Sequence, residues 1–493
     1  MPHGCRALQS PAMSDSSYPL LFSPLDLGPV RVPNRICVTA MVTRLSGEDG
    51  QVNEAILERY RRFAEGGAGM IVVEASAIHG SRSGPLLRVS DDAFLPGLTK
   101  LAETMHAAGP GKVYLQIIHF LKVARSGWRQ KIDSLSGEEL EALPDLFAAA
   151  ARRAEQAGFD GVELHMAHAY TLSSMLSRRN RRGDAYGGSL ENRMRLPGMV
   201  VDRVLRAIGP GFGVGLRFDA EECIKGGYTV QDSREFAVRF AELGAHYISL
   251  SAGGKFEDAI HRIGHPLYPY TGYSGDRCMP GSQYPDLANM GMVEPVRAEL
   301  RARGHATPVL GAGKIPGPEL AEQVLEEERC DLVGCARSLL ADPYWPKKTQ
   351  ASQPDSIIRC IYCNVCKSLD ENFHEVRCYL WPFGSRQAPR PDGDRSPSTI
   401  HWPEGARLRA EPHKGGLRLS WPAAQGPVLG YDLFRAERGH PFERLDSTQK
   451  LRRFDAEPIA GRSYTYYVQP YDAAGRRGPP TPPLEVDLPQ FAP

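Results

Sequence analysis

The stretch Leu146–Tyr170, reading LFAAAARRAEQAGFDGVELHMAHAY, contains one complete unit of the fold. Its first half, Leu146–Ala157, has the spacing of an amphipathic helix and is followed by a glycine, a residue favoured at helix C-termini. The run Gly161–His165 is apolar without alternation, which is typical of a strand covered on both faces. Two histidines and a tyrosine follow where that strand would end. A helix leading into a buried strand indicates a parallel βα architecture.

The same unit recurs along the chain from about residue 30 to 345. Eight strand-like runs over roughly 300 residues predict an α/β fold, a (β/α)₈ TIM barrel. An open doubly wound sheet is the alternative, but eight strand–helix steps without an extra terminal strand favour closure. The predicted strands are Arg35–Met41, Met70–Ala75, Lys112–Ile118, Gly161–His165, Gly213–Phe218, His246–Ser251, Pro308–Gly311 and Asp331–Cys335. Predicted helices between them include Pro96–Ala108, Leu146–Ala157, Arg193–Ala207 and Ser233–Leu243.

Bulk composition is that of a globular protein and excludes several classes of function. The chain has 493 residues, a net charge of +1 and 42% hydrophobic residues. It lacks the basic patch expected of a nucleic-acid partner and any apolar run of the ~18–20 residues that span a membrane. Residues 1–19 lack a signal-peptide pattern and are predicted to be a disordered leader, with Met1 or Met13 as the start. We therefore expect a cytoplasmic protein.

Unusual residues cluster where the predicted strands end. Glutamine, several histidines, two arginines and a glycine-rich turn all follow strand-like runs. In (β/α)₈ barrels the active site lies at the C-terminal face, which these ends would share. A structural core does not require such residues at one rim, so the pattern predicts a catalytic face.

Two motifs after the fourth strand are specific. The first is H-x-x-H-x-Y at His165, His168 and Tyr170, and the second runs from N-R-R at 180–182 to D-x-Y-G-G-S-L-E-N-R at 184–193. With these motifs the chain resembles the old yellow enzyme family, the NADH:flavin oxidoreductases, over residues ~20–345. The resemblance implies an FMN-dependent oxidoreductase of the ene-reductase type that acts on a small-molecule substrate.

The histidines and the tyrosine suit the reduction of an activated C=C bond. Two imidazoles three residues apart can converge on one oxygen and polarise an enone or an enoyl thioester. A phenol two residues further can deliver the proton that completes the reduction. The resemblance implies that His165 and His168 hold the substrate and that Tyr170 is the proton donor. A zinc pair or a surface pair is the alternative, but no third ligand lies nearby in the sequence.

Further positions match flavin contacts of the family. The resemblance implies that residues 39–42 pass under the ring, that Gln116 bonds its pyrimidine edge, and that Arg217 lies near N1. The loops after strands seven and eight would bind the 5′-phosphate. An alternative for the first of these loops, a dinucleotide fingerprint, has its last glycine one residue too late. The implied FMN-binding residues are Thr39, Ala40, Met41, Val42, Ala75, Gln116, Arg217, Gly313, Lys314, Ala336 and Arg337.

Val42 departs from the family pattern. Family members usually carry Thr, Cys or His at this position, and valine cannot donate a side-chain hydrogen bond to the flavin. Leu121-Lys122 replaces a usual Gly-Arg pair, and Ala336 replaces a common glycine. Redox tuning at position 42 must therefore differ from that of the family.

Four cysteines follow the predicted barrel. Cys360, Cys363 and Cys366 are spaced by two residues, and Cys378 follows after eleven more. This spacing suits a [4Fe–4S] cluster, with structural zinc or free thiols as alternatives. The position matches the iron–sulfur branch of the family, similar to 2,4-dienoyl-CoA reductase and trimethylamine dehydrogenase. No GxGxxG motif follows Cys378, so either NAD(P)H reduces FMN directly or a separate electron-transfer protein exchanges electrons at the cluster.

The remaining chain is predicted to be a small all-β sandwich resembling a fibronectin type III domain. Trp421 would be its core tryptophan, and Tyr464, Tyr466 and Val468 alternate as in a strand with one buried face. An insertion at Lys255–Pro285, with four tyrosines, is expected to roof the catalytic site. The predicted organisation is a leader at 1–19, an FMN-binding barrel at 20–350, a cluster segment at 351–385, a linker at 386–401 and the sandwich at 402–490.

Two further functions stay open from the sequence. One is amine dehydrogenation, as in the trimethylamine dehydrogenase branch, although that branch attaches its flavin through a cysteine near position 42. The other is an electron-transfer or partner-binding subunit, which would not need a proton donor such as Tyr170. The sequence indicates no oligomeric state.

Overall fold

The computed structural model describes ten segments of the chain, which form two compact units, Met1–Val376 and Arg377–Pro493. Most of the predicted leader and insertion, and half of the predicted linker, lie outside the described residues. Among the helices described, none is long and apolar enough to cross a membrane. The described segments are 17–80, 84–121, 131–253, 275–382, 385–390, 399–413, 415–438, 442–456, 458–472 and 477–488.

The first unit contains a closed barrel of eight parallel strands, which confirms the predicted TIM barrel. A hairpin of β1 (Leu25–Leu27) and β2 (Val30–Val32) precedes the barrel. Each barrel strand pairs with its neighbour in chain order, and the last pairs with the first. The barrel strands are β3 (Ile36–Val38), β4 (Met70–Ala77), β5 (Lys112–Ile118), β6 (Gly161–Met166), β7 (Gly213–Asp219), β8 (Tyr247–Ser251), β9 (Val309–Ala312) and β10 (Leu332–Cys335).

Helices cover the barrel and bury one face each against its strands. The predicted helix from Leu146 begins earlier, at Gly137, because Ser136 and Glu139 form a capping box that the sequence prediction missed. The helices are α1 (Glu54–Glu65), α2 (Leu95–Ala108), α3 (Gly137–Gln156), α4 (Thr171–Leu176), α5 (Leu190–Leu205), α6 (Val230–Glu242), α7 (Gly275–Cys278), α8 (Met290–Ala302), α9 (Pro318–Glu326), α10 (Arg337–Ala341), α11 (Trp345–Gln350) and α12 (Val365–Glu371).

Two tyrosines fill the barrel interior against glycines. The rings of Tyr114 and Tyr247 meet edge to face at 5.6 Å and are fully buried. A Cβ on Gly215 would lie 2.0 Å from the Tyr247 ring, and one on Gly213 would lie 2.1 Å from the Tyr114 hydroxyl. Since real contacts are never that close, only glycine admits both rings, and the barrel is a packed core rather than a pore.

The described part of the second unit is antiparallel. One sheet has the order β11-β12-β15, and the other has β14-β13-β16-β17. Trp421 is buried beside Tyr431, and Tyr464, Tyr466 and Val468 are buried on alternate positions of one strand, as predicted. The resemblance to fibronectin type III stays a prediction. The strands are β11 (Arg409–His413), β12 (Gly416–Ser420), β13 (Gly430–Glu437), β14 (Glu443–Thr448), β15 (Arg452–Asp455), β16 (Ser463–Tyr471) and β17 (Leu484–Asp487).

Candidate active site

A cavity of about 830 Å³, measured with its open mouth, lies at the C-terminal ends of the barrel strands. It brings together most of the residues that the sequence predicted, although they come from six different strands or the loops after them. The predicted residues that line it are Thr39, Ala40, Met41, Val42, Ala75, Gln116, His165, His168, Tyr170, Arg217 and Ala336. A closed parallel barrel explains this convergence because all its strands end on one face.

The two histidines belong to one chain of hydrogen bonds. The backbone N–H of Ala167 donates to Nδ1 of His165, at 3.3 Å. In a neutral imidazole the other nitrogen then carries the hydrogen, so His165 Nε2 donates to His168 Nδ1, 3.2 Å away. By the same reasoning His168 Nε2 donates to the hydroxyl of Ser251, at 2.8 Å. The chain thus runs from His165 through His168 to the hydroxyl of Ser251.

Asp219 and Ser251 orient His168. The backbone N–H of His168 donates to the Asp219 carboxylate at 2.9 Å, and the residue adopts φ 58°, which is uncommon outside glycine. Arg217 donates to Ser249 at 3.1 Å and to Ser251 at 3.4 Å. Ser251 therefore connects the arginine predicted near the flavin with the histidine predicted at the substrate.

Tyr170 lies beside His165 and immediately precedes α4. The two rings meet edge to face with centroids 5.4 Å apart, and Phe120 packs 6.1 Å from the tyrosine ring. Burial raises the pKa of the Tyr170 phenol well above its ordinary value. The phenol therefore keeps its proton at neutral pH, which is the state that a proton donor requires.

Gln116 is positioned by a buried carboxylate inside the barrel. Its amide donates to Glu163 at 2.6 Å, and the hydroxyl of Tyr247 donates to the other carboxylate oxygen at 2.9 Å. Burial raises the pKa of Glu163, while the nearby Arg217 lowers it. The glutamine side chain is thus held at the floor of the cavity.

Glu74 lies behind the cavity floor, next to Ala75. Its carboxylate is fully buried and accepts a hydrogen bond from the backbone N–H of Thr43, at 2.5 Å. Among the described residues, none forms a hydrogen bond with its other oxygen, Oε1. Burial raises the pKa of Glu74 from 4.5 to about 7, against lowering by Thr43, Arg44 and Arg59.

Replacing Glu74 by Gln is expected to flatten the pH dependence of stability. Because the folded pKa lies above the unfolded value of 4.5, the native protein holds a proton that the unfolded chain has lost. The stabilisation is complete below pH 4.5 and is lost as pH rises through about 7. Between roughly pH 5.5 and 8.5, the parent should lose about 2 kcal/mol more unfolding free energy than E74Q. Parallel urea-unfolding profiles for the two proteins would contradict this assignment.

The residues predicted to bind the phosphate lie outside this cavity, except Ala336. The Lys314 ammonium donates to the backbone carbonyls of Ser282 and Tyr284, and Arg337 donates to the carbonyl of Pro280 at 2.7 Å. Both cations lie over the ring of Tyr362, at 5.1 and 4.8 Å. Gly313 adopts φ 131°, where a Cβ would lie 2.7 Å from Asn289.

The cysteine motif contacts one of these cations, Arg337. Arg337 also donates to the side chain of Asn364, at 2.7 Å, between the second and third cysteines of the motif. Tyr362 and Asn364 adopt φ 54° and 58°, which turn the backbone between the cysteines. Within the described residues, no group of three or more His, Cys, Asp or Glu side chains is arranged to hold a metal ion.

Two of the predicted ligands nonetheless share a local feature. The backbone N–H two residues after Cys360 donates to its sulfur at 3.4 Å, and the same contact occurs at Cys378. Backbone hydrogen bonds to cysteine sulfur stabilise thiolates and tune iron–sulfur clusters. The donor set and this local geometry fit a thiolate-ligated cluster. Cys363 is exposed and Cys366 is buried at the start of α12.

Several residues of the cavity were missed by the sequence reasoning. Arg44 and Asp370 form an ion pair in its wall, and the thiol of Cys278 lies 3.1 Å from His168 Nε2. Asp370 lies on α12, between Cys366 and Cys378 of the cysteine motif. Met279 also lines the cavity, so the described end of the predicted insertion does reach the site. No local signal identifies these residues because they lie away from the strand ends that the motifs mark.

Comparison with known proteins shows the family of the chain. The model of the NADH:flavin oxidoreductase / NADH oxidase family matches residues 20–133 and 122–266. An NADH oxidase of Thermoanaerobacter brockii is 32% identical over 75% of this chain and 57% of its own length. An NADPH dehydrogenase of Halalkalibacterium halodurans is 32% identical over 66% of this chain and 93% of its own length.

A solved structure extends the similarity beyond the sequence. The histamine dehydrogenase from Rhizobium sp. 4-9 is 26% identical, with a TM-score of 0.63, over 74% of this chain and 52% of that protein. This chain thus matches only about half the length of the larger relatives. By its family match and its barrel, the chain belongs to the NADH:flavin oxidoreductase / NADH oxidase family.

Proposed function

We propose that this protein is an FMN-dependent reductase of activated C=C bonds, of the enone or enoyl thioester type. The observation that carries the proposal is that one cavity holds His165, His168 and the buried phenol of Tyr170 beside Gln116 and Arg217. The first three residues match the chemistry of the substrate, and the last two match that of a flavin. A pure electron relay would not need a proton donor.

The residues around the cavity fit a flavin ring. Gln116 and Arg217 supply hydrogen-bond partners for its polar edge, and Ala75, Val42 and Ala336 supply small or apolar contacts. A fixed positive charge at Arg217 favours the anionic reduced form. Gly313, Lys314 and Arg337 would bind the phosphate, the latter two after exchanging their present carbonyl partners for it. When bound, FMN supplies the hydride for the β-carbon of the substrate.

The imidazoles polarise the substrate. An oxygen of the substrate placed between His165 and His168 would accept from His165 Nε2, and it would accept from His168 as well in the tautomer that carries the hydrogen on Nδ1, in which Nε2 accepts from the Ser251 hydroxyl. This arrangement stabilises negative charge on the oxygen as the β-carbon becomes electron-poor. Tyr170 then donates its phenolic proton to the α-carbon, and the proton is later regained from solvent.

Cys360, Cys363, Cys366 and Cys378 are proposed to bind a [4Fe–4S] cluster. The spacing and the backbone hydrogen bonds to Cys360 and Cys378 support this assignment. The electron donor is either NAD(P)H, which reduces the flavin directly, or a separate electron-transfer protein at the cluster. The names of two relatives, NADH oxidase and NADPH dehydrogenase, favour NAD(P)H.

Amine dehydrogenation is the second candidate, since a similar structure is that of a histamine dehydrogenase. A cationic amine calls for an unpaired carboxylate in the cavity. Asp370, an acidic residue in its lining, instead pairs with Arg44 at 2.8 Å. The cavity therefore fits a neutral, polarisable substrate better than a cationic one.

Anaerobic purification tests the proposal. We expect flavin absorption, about four irons per chain and reoxidation of the reduced flavin by 2-cyclohexenone. Each half-reaction should be followed separately by stopped-flow absorption, first with NADH or NADPH and then with the enone. Flavin that is reduced by histamine or trimethylamine but is not reoxidised by the enone would favour the amine dehydrogenase. A preparation that binds no flavin would overturn both candidates.

A further inference from the structure

An ion pair in the cavity wall takes no part in polarising the substrate or in donating the proton. Arg44 and Asp370 both line the cavity and pair at 2.8 Å, although they are 326 residues apart in the chain. The Arg44 side chain is only 1% exposed and that of Asp370 is 11% exposed. Buried ion pairs lose much hydration energy, so they contribute little net stability by themselves. Stability alone therefore does not explain this pair, and its place in the cavity wall indicates a role in the chemistry of the site.

Arg44 is held in place from several sides. Its Nη1 donates to the carbonyl of Pro85 at 3.1 Å, and its guanidinium lies 4.5 Å over the ring of Phe373. The residue adopts φ 57°, a conformation that costs free energy for a non-glycine residue. The segment between Cys366 and Cys378 also contacts the residue before Arg44, since the N–H of Val376 donates to the carbonyl of Thr43 at 2.8 Å.

Arg44 and Tyr170 line the same cavity. The Phe373 ring that packs under Arg44 also packs against the buried apolar cluster that contains Tyr170, Phe120 and Leu86. Arg44 lowers the pKa of the phenol against the larger effect of burial, and Asp370 raises it by a smaller amount. Among described residues, Arg44 is the cation that has this effect on Tyr170.

We propose that Arg44 is a positioning residue for the proton donor and that it stabilises the phenolate left on Tyr170 after proton transfer. The inference rests on the proposed alkene reduction. In that step the O–H bond of Tyr170 breaks, a C–H bond forms at the α-carbon, and negative charge remains on the buried oxygen. Arg44 keeps its own protons and offsets that charge. Asp370 orients the guanidinium. Together with Phe373, it makes the segment between Cys366 and Cys378 part of the catalytic wall.

A double-mutant cycle tests the role in catalysis. Arg44→Met should slow flavin reoxidation by 2-cyclohexenone about tenfold, since a nearby charge shifts a pKa by about 1–3 units. Arg44→Lys, which keeps the charge, should recover part of the rate. In a Tyr170→Phe background Arg44→Met should have less than about a twofold effect, because its target is gone. If the rate losses of the two single variants multiply in the double variant, the two residues act independently and the proposal is overturned.

A second measurement does not depend on turnover. A difluorotyrosine at position 170, whose phenol is more acidic than that of tyrosine, brings the raised pKa into a range that can be followed by ¹⁹F NMR. Arg44→Met should raise its titration midpoint by about 1 unit, and Asp370→Asn should lower it by a smaller amount. A structural role would not produce opposite shifts, so unchanged or parallel midpoints would overturn the proposal. If Arg44→Met does not fold, the charge-free pair Arg44→Gln with Asp370→Asn should still raise the midpoint.

The outcomes separate this inference from the proposed function. If the parent protein does not reduce the enone, the proposed function fails, whereas the shifts in the titration midpoint can still be observed. If Tyr170→Phe is slow and the midpoint does not respond to Arg44, only the inference about Arg44 fails.

Discussion

Replacing Tyr170 by Phe is expected to slow flavin reoxidation by an enone about 10²–10⁴-fold, the usual contribution of a general acid. The reason is that the buried phenol beside His165 is the proton donor of the site, and its raised pKa keeps it protonated. Reduction of the flavin by NAD(P)H should change less than about threefold, because that half-reaction does not use this proton. Stopped-flow absorption at the flavin band measures both half-reactions.

Tyr114→Phe is the matched control for this experiment. Tyr114 is fully buried inside the same barrel but does not line the cavity. Its variant should keep both half-reactions close to the parent rates. Equal slowing of both half-reactions in Tyr170→Phe would indicate a general disturbance of the site rather than the loss of a proton donor. An unchanged rate of reoxidation would remove Tyr170 from the mechanism.

Replacing Cys366 by Ser is expected to reduce the iron content from about four per chain to less than about one. Three thiolates cannot retain a complete cluster securely, and serine is a poor substitute ligand. Iron is measured by colorimetric assay after anaerobic purification, and flavin by its absorption after release. The flavin content should be retained, because the predicted flavin contacts lie on the barrel.

Cys330→Ala is the control for the cluster prediction, because Cys330 is a buried cysteine outside the motif. It should keep the full iron content. Iron that is retained in Cys366→Ser would show that this cysteine is not a ligand. If the iron is lost and NAD(P)H still reduces the flavin at the parent rate, hydride enters at the barrel. If that rate is lost as well, electrons enter through the cluster.

Much of the fold was predictable from the sequence because its strands and helices are specified by residues close together in the chain. The eight strands were recognisable since each is an apolar run between helix-like stretches, and all eight lie in the closed barrel. Boundaries were harder to predict. The start of α3 depended on the capping box at Ser136 and Glu139, which a search for apolar periodicity does not detect.

The predicted site residues divide in a similar way. Those in the C-terminal halves of strands, such as Gln116, His165 and Arg217, all line the cavity, because parallel strands of a barrel end on one face. Lys314 and Arg337 follow strands, yet their side chains contact Tyr362 and backbone carbonyls instead. Their predicted contact with a phosphate stays a prediction.

By itself, the sequence of this protein determined the barrel, its family and the histidine–tyrosine motif, since each depends on residues close together in the chain. Tertiary structure alone decided which distant side chains complete the cavity. Arg44 and Asp370 meet across 326 residues, and Cys278 contacts His168 across 110. No periodicity or motif encodes these contacts, because they arise only when the closed barrel brings its first loop and the segment after its last strand to the same end.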